Sequence, residues 1–190
     1  NGVTHALALG KRGVIAASSG NAGVAVAAYA AAAGLACEIV ITPSCPQLYR
    51  ALILEHGARV TTATDALARW DLVGERLAAD DSLYALTNYL RPAVGSPSVT
   101  IEAYKHIAHE LVQCARVKAT ATPITQVFVP VARGDLLLGL YLGFEEARLA
   151  DQIGALPKLI AVEPFARLSA VRGGADYRQA FAGHTEQFST

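Results

Sequence analysis

Gly13-Val14-Ile15-Ala16-Ala17-Ser18-Ser19-Gly20-Asn21-Ala22-Gly23 is the stretch on which the reading of this chain turns. Five small or branched apolar residues make a run of strand length. Ser18, Ser19 and Gly20 then interrupt it, and helix formers follow from Asn21 to Ala33, ended by Gly34. A strand, a tight loop and a helix in that order present backbone N–H groups and the positive end of the helix dipole at the loop, which favours a bound anion. Two hydroxyls, a glycine that permits close approach and one amide suit a carboxylate or a phosphate; the same serines also serve as ordinary helix caps.

The alternation continues outward. Residues 37–42 read as a second strand closed by Pro43, and Pro46 as the first-turn residue of a helix reaching His56 and stopped by Gly57. Residues 58–62 make a third strand, Asp65 caps a helix to about Ala79, and residues 83–86 make a fourth strand. Short connections with a helix between successive strands predict parallel sheets covered on both faces. The rhythm breaks over Asn88–Ser98, a loop holding Pro92, Gly95 and Pro97. Beyond it come a long helix with Tyr104, Ile107, Ala108 and Leu111 on one face, a strand over 125–131, a loop at Ala132–Asp135, a helix to about Ala150 and a strand over 158–162. The expectation is an α/β protein of two three-layer domains with mainly parallel sheets, one over 1–90 and the other over 91–190.

Composition narrows the class. The chain has 190 residues, 53% of them hydrophobic, with 16 basic and 16 acidic side chains that cancel. No basic stripe offers a footprint for nucleic acid or an anionic membrane surface. The longest apolar stretch, Gly23–Ala36, falls short of the roughly 20 residues needed to cross a bilayer. Cys37, Cys45 and Cys114 are odd in number and lack metal or disulfide spacing, so Cys37 and Cys45 read as small core residues. These features predict a soluble cytoplasmic α/β protein. The chain also lacks methionine and opens on Val3, Ala6, Leu7 and Leu9, which read as the rear of a helix, so an incomplete central portion of a longer protein is expected.

A dinucleotide fingerprint is absent. Only Gly20 and Gly23 stand where G-x-G-x-x-G is needed, and the second strand ends in Ile41-Thr42-Pro43 without the acid that would hold a ribose. What the residues do resemble is the family of pyridoxal-phosphate enzymes with the tryptophan synthase β-subunit fold (fold type II). The resemblance runs through Ala17–Gly23, the Ala-rich helix with Gly34, Ile39–Pro43 and His56–Val60. Within that family the chain is most similar to threonine synthase. Gly95-Ser96-Pro97-Ser98 with Glu102 stands where that enzyme has a G-Q-K-T…E segment, three of the four residues differing, and Val129–Val131 with Gly139–Phe144 looks like the surroundings of its phosphate loop.

The resemblance implies a cofactor cleft between two domains, pyridoxal 5'-phosphate as cofactor, a small amino acid substrate and a homodimer. By position, Asn21 would hydrogen-bond the phenolic oxygen of the cofactor, and Ser18, Ser19, Gly20 and Asn21 would hold the substrate carboxylate. The Schiff-base lysine is expected just upstream of Asn1, so no catalytic residue is expected within the chain. Ala132, Arg133, Gly134, Asp135 and Leu136 occupy the place of the glycine-rich phosphate loop. Glycines there let backbone donors converge on a phosphate; Arg133 is the residue that would compensate for their loss.

The implied activity is elimination or replacement on a small amino acid derivative, most like the conversion of O-phosphohomoserine to threonine. A serine/threonine dehydratase, a cysteine synthase-type enzyme and a cofactor-free relative used as a binding or scaffold protein remain alternatives. Glu102, His106, His109, Glu110 and Gln113 share a helix face at spacings that could ligate a metal, but a solvated polar face accounts for them, and no metal site is expected.

Overall fold

A parallel sheet needs a helix for each crossover, and the chain supplies one each time. The computed structural model describes residues 1–90, 95–117, 123–164 and 166–176, in two compact units, Asn1–Pro97 and Ser98–Ala175. The first unit runs α1 (Gly2–Ala8), β1 (Gly13–Ala17), α2 (Asn21–Ala32), β2 (Ala36–Ile41), α3 (Gln47–Glu55), β3 (Arg59–Thr62), α4 (Ala66–Ala79) and β4 (Leu83–Ala85). Its four strands lie in the order β3-β2-β1-β4, all parallel, with Gly13 opposite both Ala36 and Leu83.

β1 is central, and each of its five residues is buried. Its side chains alternate between two cores, as the period of a strand requires. Val14 and Ala16 join Ala27, Ala30, Ile39 and Ile53 on one face, whereas Ile15 and Ala17 join Trp70 and Val73 on the other. This both-sided burial explains why β1 and the end of β2 read as unbroken apolar runs. Gly23 lets α2 lie close: a Cβ there would stand 2.9 Å from the Ser18 carbonyl oxygen and 3.2 Å from Ile39 Cγ2. One charge interrupts β2. Glu38 is buried, and its carboxylate accepts from the Arg59 guanidinium and from Thr61 Oγ1 at 2.7 Å, with Arg76 Nε 3.6 Å away. Burial pushes the Glu38 pKa up, but the donors from Arg59 and Thr61 outweigh it and hold the group below the usual carboxylate range.

The second unit comprises α5 (Ser98–Val117), β5 (Gln126–Pro130), α6 (Asp135–Leu149), β6 (Lys158–Val162) and α7 (Leu168–Arg172). β5 and β6 pair in parallel with Gln126 opposite Lys158. α5 and α6 pack closely because Gly139 and Gly143, one turn apart, leave no side chains between the backbones. A Cβ on Gly139 would meet the Ile101 carbonyl oxygen at 2.8 Å, and one on Gly143 would meet that of Lys105 at 2.6 Å.

That packing shifts the buried stripe of α5 from the one expected. Ala108 and Val112 are buried, whereas Tyr104 and Ile107 are exposed; the glycines of α6 take in the backbone and Cβ of Tyr104, with the backbone of Ile101 and Lys105 and the Cβ of Ala108, rather than a whole aromatic or branched side chain. The polar residues of the same helix pair with carboxylates. Lys105 bridges Glu102 and Glu146, His109 Nε2 lies 3.1 Å from Glu146, and His106 Nε2 lies 3.2 Å from Glu110. Among the described residues no three His, Cys, Asp or Glu side chains converge as metal ligands, and no helix is long and apolar enough to cross a membrane. A smaller difference concerns Pro46, which caps α3 from the preceding position with φ −58° and ψ 139° rather than standing inside its first turn.

Candidate active site

In an open parallel sheet, ligands bind beyond the carboxyl ends of the strands, where neighbouring strands send their connections to opposite sides. In the first unit that switch lies between β1 and β4. β1 leads through α2 to β2 on one side, and β3 leads through α4 back to β4 on the other. The loop leaving β1 at this point is Ser18–Gly20. Its root is tied to the end of β4, since the Ala17 N–H donates to Thr87 Oγ1 at 2.8 Å.

The two serines of the loop do different work. Ser18 is half-buried, and its Oγ accepts from the N–H of Gly23 at 3.0 Å and of Gly20 at 3.4 Å, so it caps α2 from outside the helix. Ser19 turns inward and is 1% exposed. Its Oγ receives the Thr42 N–H at 2.9 Å, lies 3.0 Å from Thr42 Oγ1 and receives Arg69 Nη1 at 3.2 Å. Thr42 Oγ1 continues to Ser44 Oγ at 2.9 Å, and Cys45 Sγ lies 3.5 Å from the Ser19 carbonyl oxygen. The expectation that both hydroxyls line the ligand position therefore has to reckon with one of them committed beneath the loop.

Asn21 is the first residue of α2, and its side chain is exposed. The first N–H groups of a helix have no partner within it. Here Ser18 and Gly20 satisfy Gly23, and Gly20 also accepts from Val24 at 3.4 Å. Among the described residues the N–H groups of Asn21 and Ala22 carry no hydrogen bond. The loop thus combines two open backbone donors, the positive end of a 12-residue helix and an exposed amide.

The second unit builds a comparable place at the carboxyl ends of its two parallel strands. β5 leads through Ala132, Arg133 and Gly134 into α6, and β6 leads through Glu163 toward α7. Gly134 takes φ +100°, a left-handed conformation that glycine adopts without strain, and its carbonyl accepts the Leu138 N–H at 2.8 Å. Ala132 is exposed; Arg133, Asp135 and Leu136 are half-buried, and Asp135 stands at the positive end of α6. The N–H groups of Leu136 and Leu137 carry no hydrogen bond among the described residues.

Arg167, which sequence reasoning missed, is 5% exposed. Burial first, and then the nearby Arg133 guanidinium, push its pKa below the ordinary arginine range, while Glu163 pulls the other way. Arg133 and Arg167 thus bring two positive charges near each other where β5 and β6 end. Glu163 itself is occupied. Its carboxylate receives the N–H groups of Arg167 at 3.1 Å, Leu168 at 2.6 Å and Ser169 at 3.0 Å. Burial raises the Glu163 pKa, but the donors from Ser169 and Leu168 more than cancel this and leave it lowered.

The chain as a whole is similar to known proteins. Threonine synthase of Mycobacterium tuberculosis is 30% identical over 162 residues, which is 85% of this chain and 42% of that enzyme, so the chain spans less than half the length of this relative. Among solved structures, diaminopropionate ammonia lyase of Escherichia coli superposes with a TM-score of 0.66 at 21% identity, covering 85% of this chain and 43% of that one. Cysteine synthase of Entamoeba histolytica gives 0.66 at 18% identity, covering 91% and 48%. The architecture is that of the fold type II pyridoxal-phosphate enzymes. Residues 1–187 match the family described as pyridoxal-phosphate dependent enzymes, and the chain belongs to that family, whose cofactor is pyridoxal phosphate.

Proposed function

We propose that the whole protein of which these residues are part catalyses pyridoxal-phosphate-dependent elimination or replacement on a small amino acid derivative, most like threonine synthase. The observation that carries this reading is the Ser18–Ala22 loop, with two open N–H donors and an exposed amide at the switch point of the sheet. A carboxylate fits there, and an amino acid substrate has one. Ser18, Ser19 and Gly20 shape the loop, the backbone of Asn21 and Ala22 supplies the donors, and the Asn21 side chain orients the cofactor ring.

The residues of the second unit suit the cofactor's phosphate. Ala132–Leu136 offers fewer glycines than a phosphate loop of this family, and Arg133 and Arg167 supply charge in place of converging backbone donors. Leu136 and Leu137 add N–H groups from the start of α6. When bound, the cofactor supplies an electron sink for the substrate's reacting carbon, so the surrounding protein chiefly binds, orients and moves protons.

The test uses the full-length protein. Added pyridoxal phosphate is expected to give an absorbance band near the visible edge that borohydride abolishes. Product analysis with O-phosphohomoserine, serine and threonine then separates γ-replacement from β-elimination. A full-length protein that forms no such band would favour a cofactor-free relative.

A further inference from the structure

Arg69 is 1% exposed, on α4, and its Nη1 donates to Ser19 Oγ at 3.2 Å from beneath the candidate carboxylate loop. The bond directions around Ser19 follow from counting. A hydroxyl oxygen has two lone pairs and one proton. The Thr42 N–H and Arg69 Nη1 occupy both lone pairs, so the Ser19 proton goes to Thr42 Oγ1, 3.0 Å away. The loop leaving β1 is thereby fixed to the end of β2 and to α4 through one atom.

Stability alone is a poor reason for a buried guanidinium, because desolvation costs several kcal/mol and an apolar side chain of similar volume often serves as well. We propose, on the basis of the carboxylate-binding reading above, that Arg69 is a positioning residue for substrate recognition. Acting through Ser19, it holds the Ser18–Ala22 backbone with its open N–H groups directed at the substrate carboxylate. It does not touch the substrate. Its effect falls on amino acid binding, which uses the loop's backbone donors, more than on cofactor binding, which uses the loop only through Asn21.

The test is a double-mutant cycle in the full-length, cofactor-loaded protein, with L-threonine as the probe and the change in cofactor absorbance as the readout. Arg69→Met is expected to weaken L-threonine binding by about tenfold, the loss of one hydrogen bond to a charged group. Ser19→Ala should weaken it similarly, and the double variant no further than either single one, because the hold of Arg69 on the loop runs through Ser19. Cofactor affinity should stay within about threefold, and Arg69→Lys, which keeps a donor and the charge, should recover most of the L-threonine affinity. Should Arg69→Met fail to fold, Arg69→Lys and Ser19→Ala carry the comparison. Unchanged L-threonine affinity, additive losses, or equal losses for cofactor and L-threonine would overturn the proposal. A parent protein that takes up no cofactor would instead overturn the functional reading on which the proposal rests.

Discussion

Replacing Gly143 by alanine tests the close packing of α5 on α6. The added Cβ would meet the Lys105 carbonyl oxygen at 2.6 Å, Ala108 Cβ at 2.8 Å and Lys105 Cα at 2.9 Å. Atoms at ordinary contact are about 3.5 Å apart, so the shortest approach must open by roughly 0.9 Å. All three neighbours are backbone or Cβ atoms, and no rotamer change relieves them; the helices themselves must part. Overpacking of this kind costs about 1–3 kcal/mol, and the upper end applies where nothing can move aside. Alanine returns about 1 kcal/mol through its helix propensity. The net expectation is about 2 kcal/mol of destabilisation. Gly154→Ala is the control, since a Cβ there meets nothing within 4 Å. Urea titration of the full-length protein, followed by far-ultraviolet circular dichroism, provides the measurement. A Gly143→Ala variant as stable as Gly154→Ala would show that the two helices are not held apart by backbone contact, and the reasoning would fail.

Four further outcomes are expected. Arg133→Ala should weaken pyridoxal phosphate binding by about 1.5–3 kcal/mol, roughly ten- to a hundredfold, when titrated at fixed salt; unchanged affinity would remove Arg133 from the phosphate site. Asn21→Ala should weaken cofactor binding while the unfolding free energy from urea titration changes by less than about 1 kcal/mol, because the side chain is exposed at a helix start. Glu163→Gln should cost about 1–2 kcal/mol as a lost charged cap. The Glu163 carboxyl is held below its unfolded value, so this contribution is complete above the unfolded carboxylate pKa and fades as the pH falls through the lower folded one, and variant and parent should converge in acid. Iodoacetamide should modify exposed Cys114 ahead of Cys37, whose thiol burial and the neighbouring Glu38 push up to about 11; peptide mass spectrometry at pH 8 reads the order, and equal rates would contradict the burial of Cys37.

Elements whose signals are local were legible from sequence. β1 and β6 occupy the expected spans 13–17 and 158–162, and Asp65 caps α4 through its Oδ1, which accepts from the Leu67 and Ala68 N–H groups at 2.8 Å each. Features that depend on distant pairing were not. Arg69 stands in a helix with Arg76 and Glu75 nearby and reads as one more solvated charge, yet α4 turns it under a loop 50 residues earlier. The Ser19–Thr42 pair did leave a trace. Ala17 sits opposite Val40, and continuing that register two residues beyond this pair brings Ser19 beside Thr42. Arg167 left none, because its closeness to Arg133 arises only when β5 and β6 pair. The α5 stripe misled because at Gly139 and Gly143 the helices meet through backbone and Cβ atoms, those of Tyr104 among them, which brings a residue into contact without burying its whole side chain.

The place of β4 in the sheet sets an order of events during synthesis. β1 is flanked by β2, which emerges soon after it, and by β4, which emerges some 70 residues later. Until Leu83–Thr87 has left the ribosome, one edge of the most apolar strand lacks its partner and the Ala17 N–H lacks Thr87. Ser19 can be locked early, once Thr42 and Arg69 are made, while the root of the same loop waits for β4. A nascent or truncated chain ending before residue 83 would therefore expose a sheet edge able to pair with another chain, and its ligand loop would be braced from below but loose at its base.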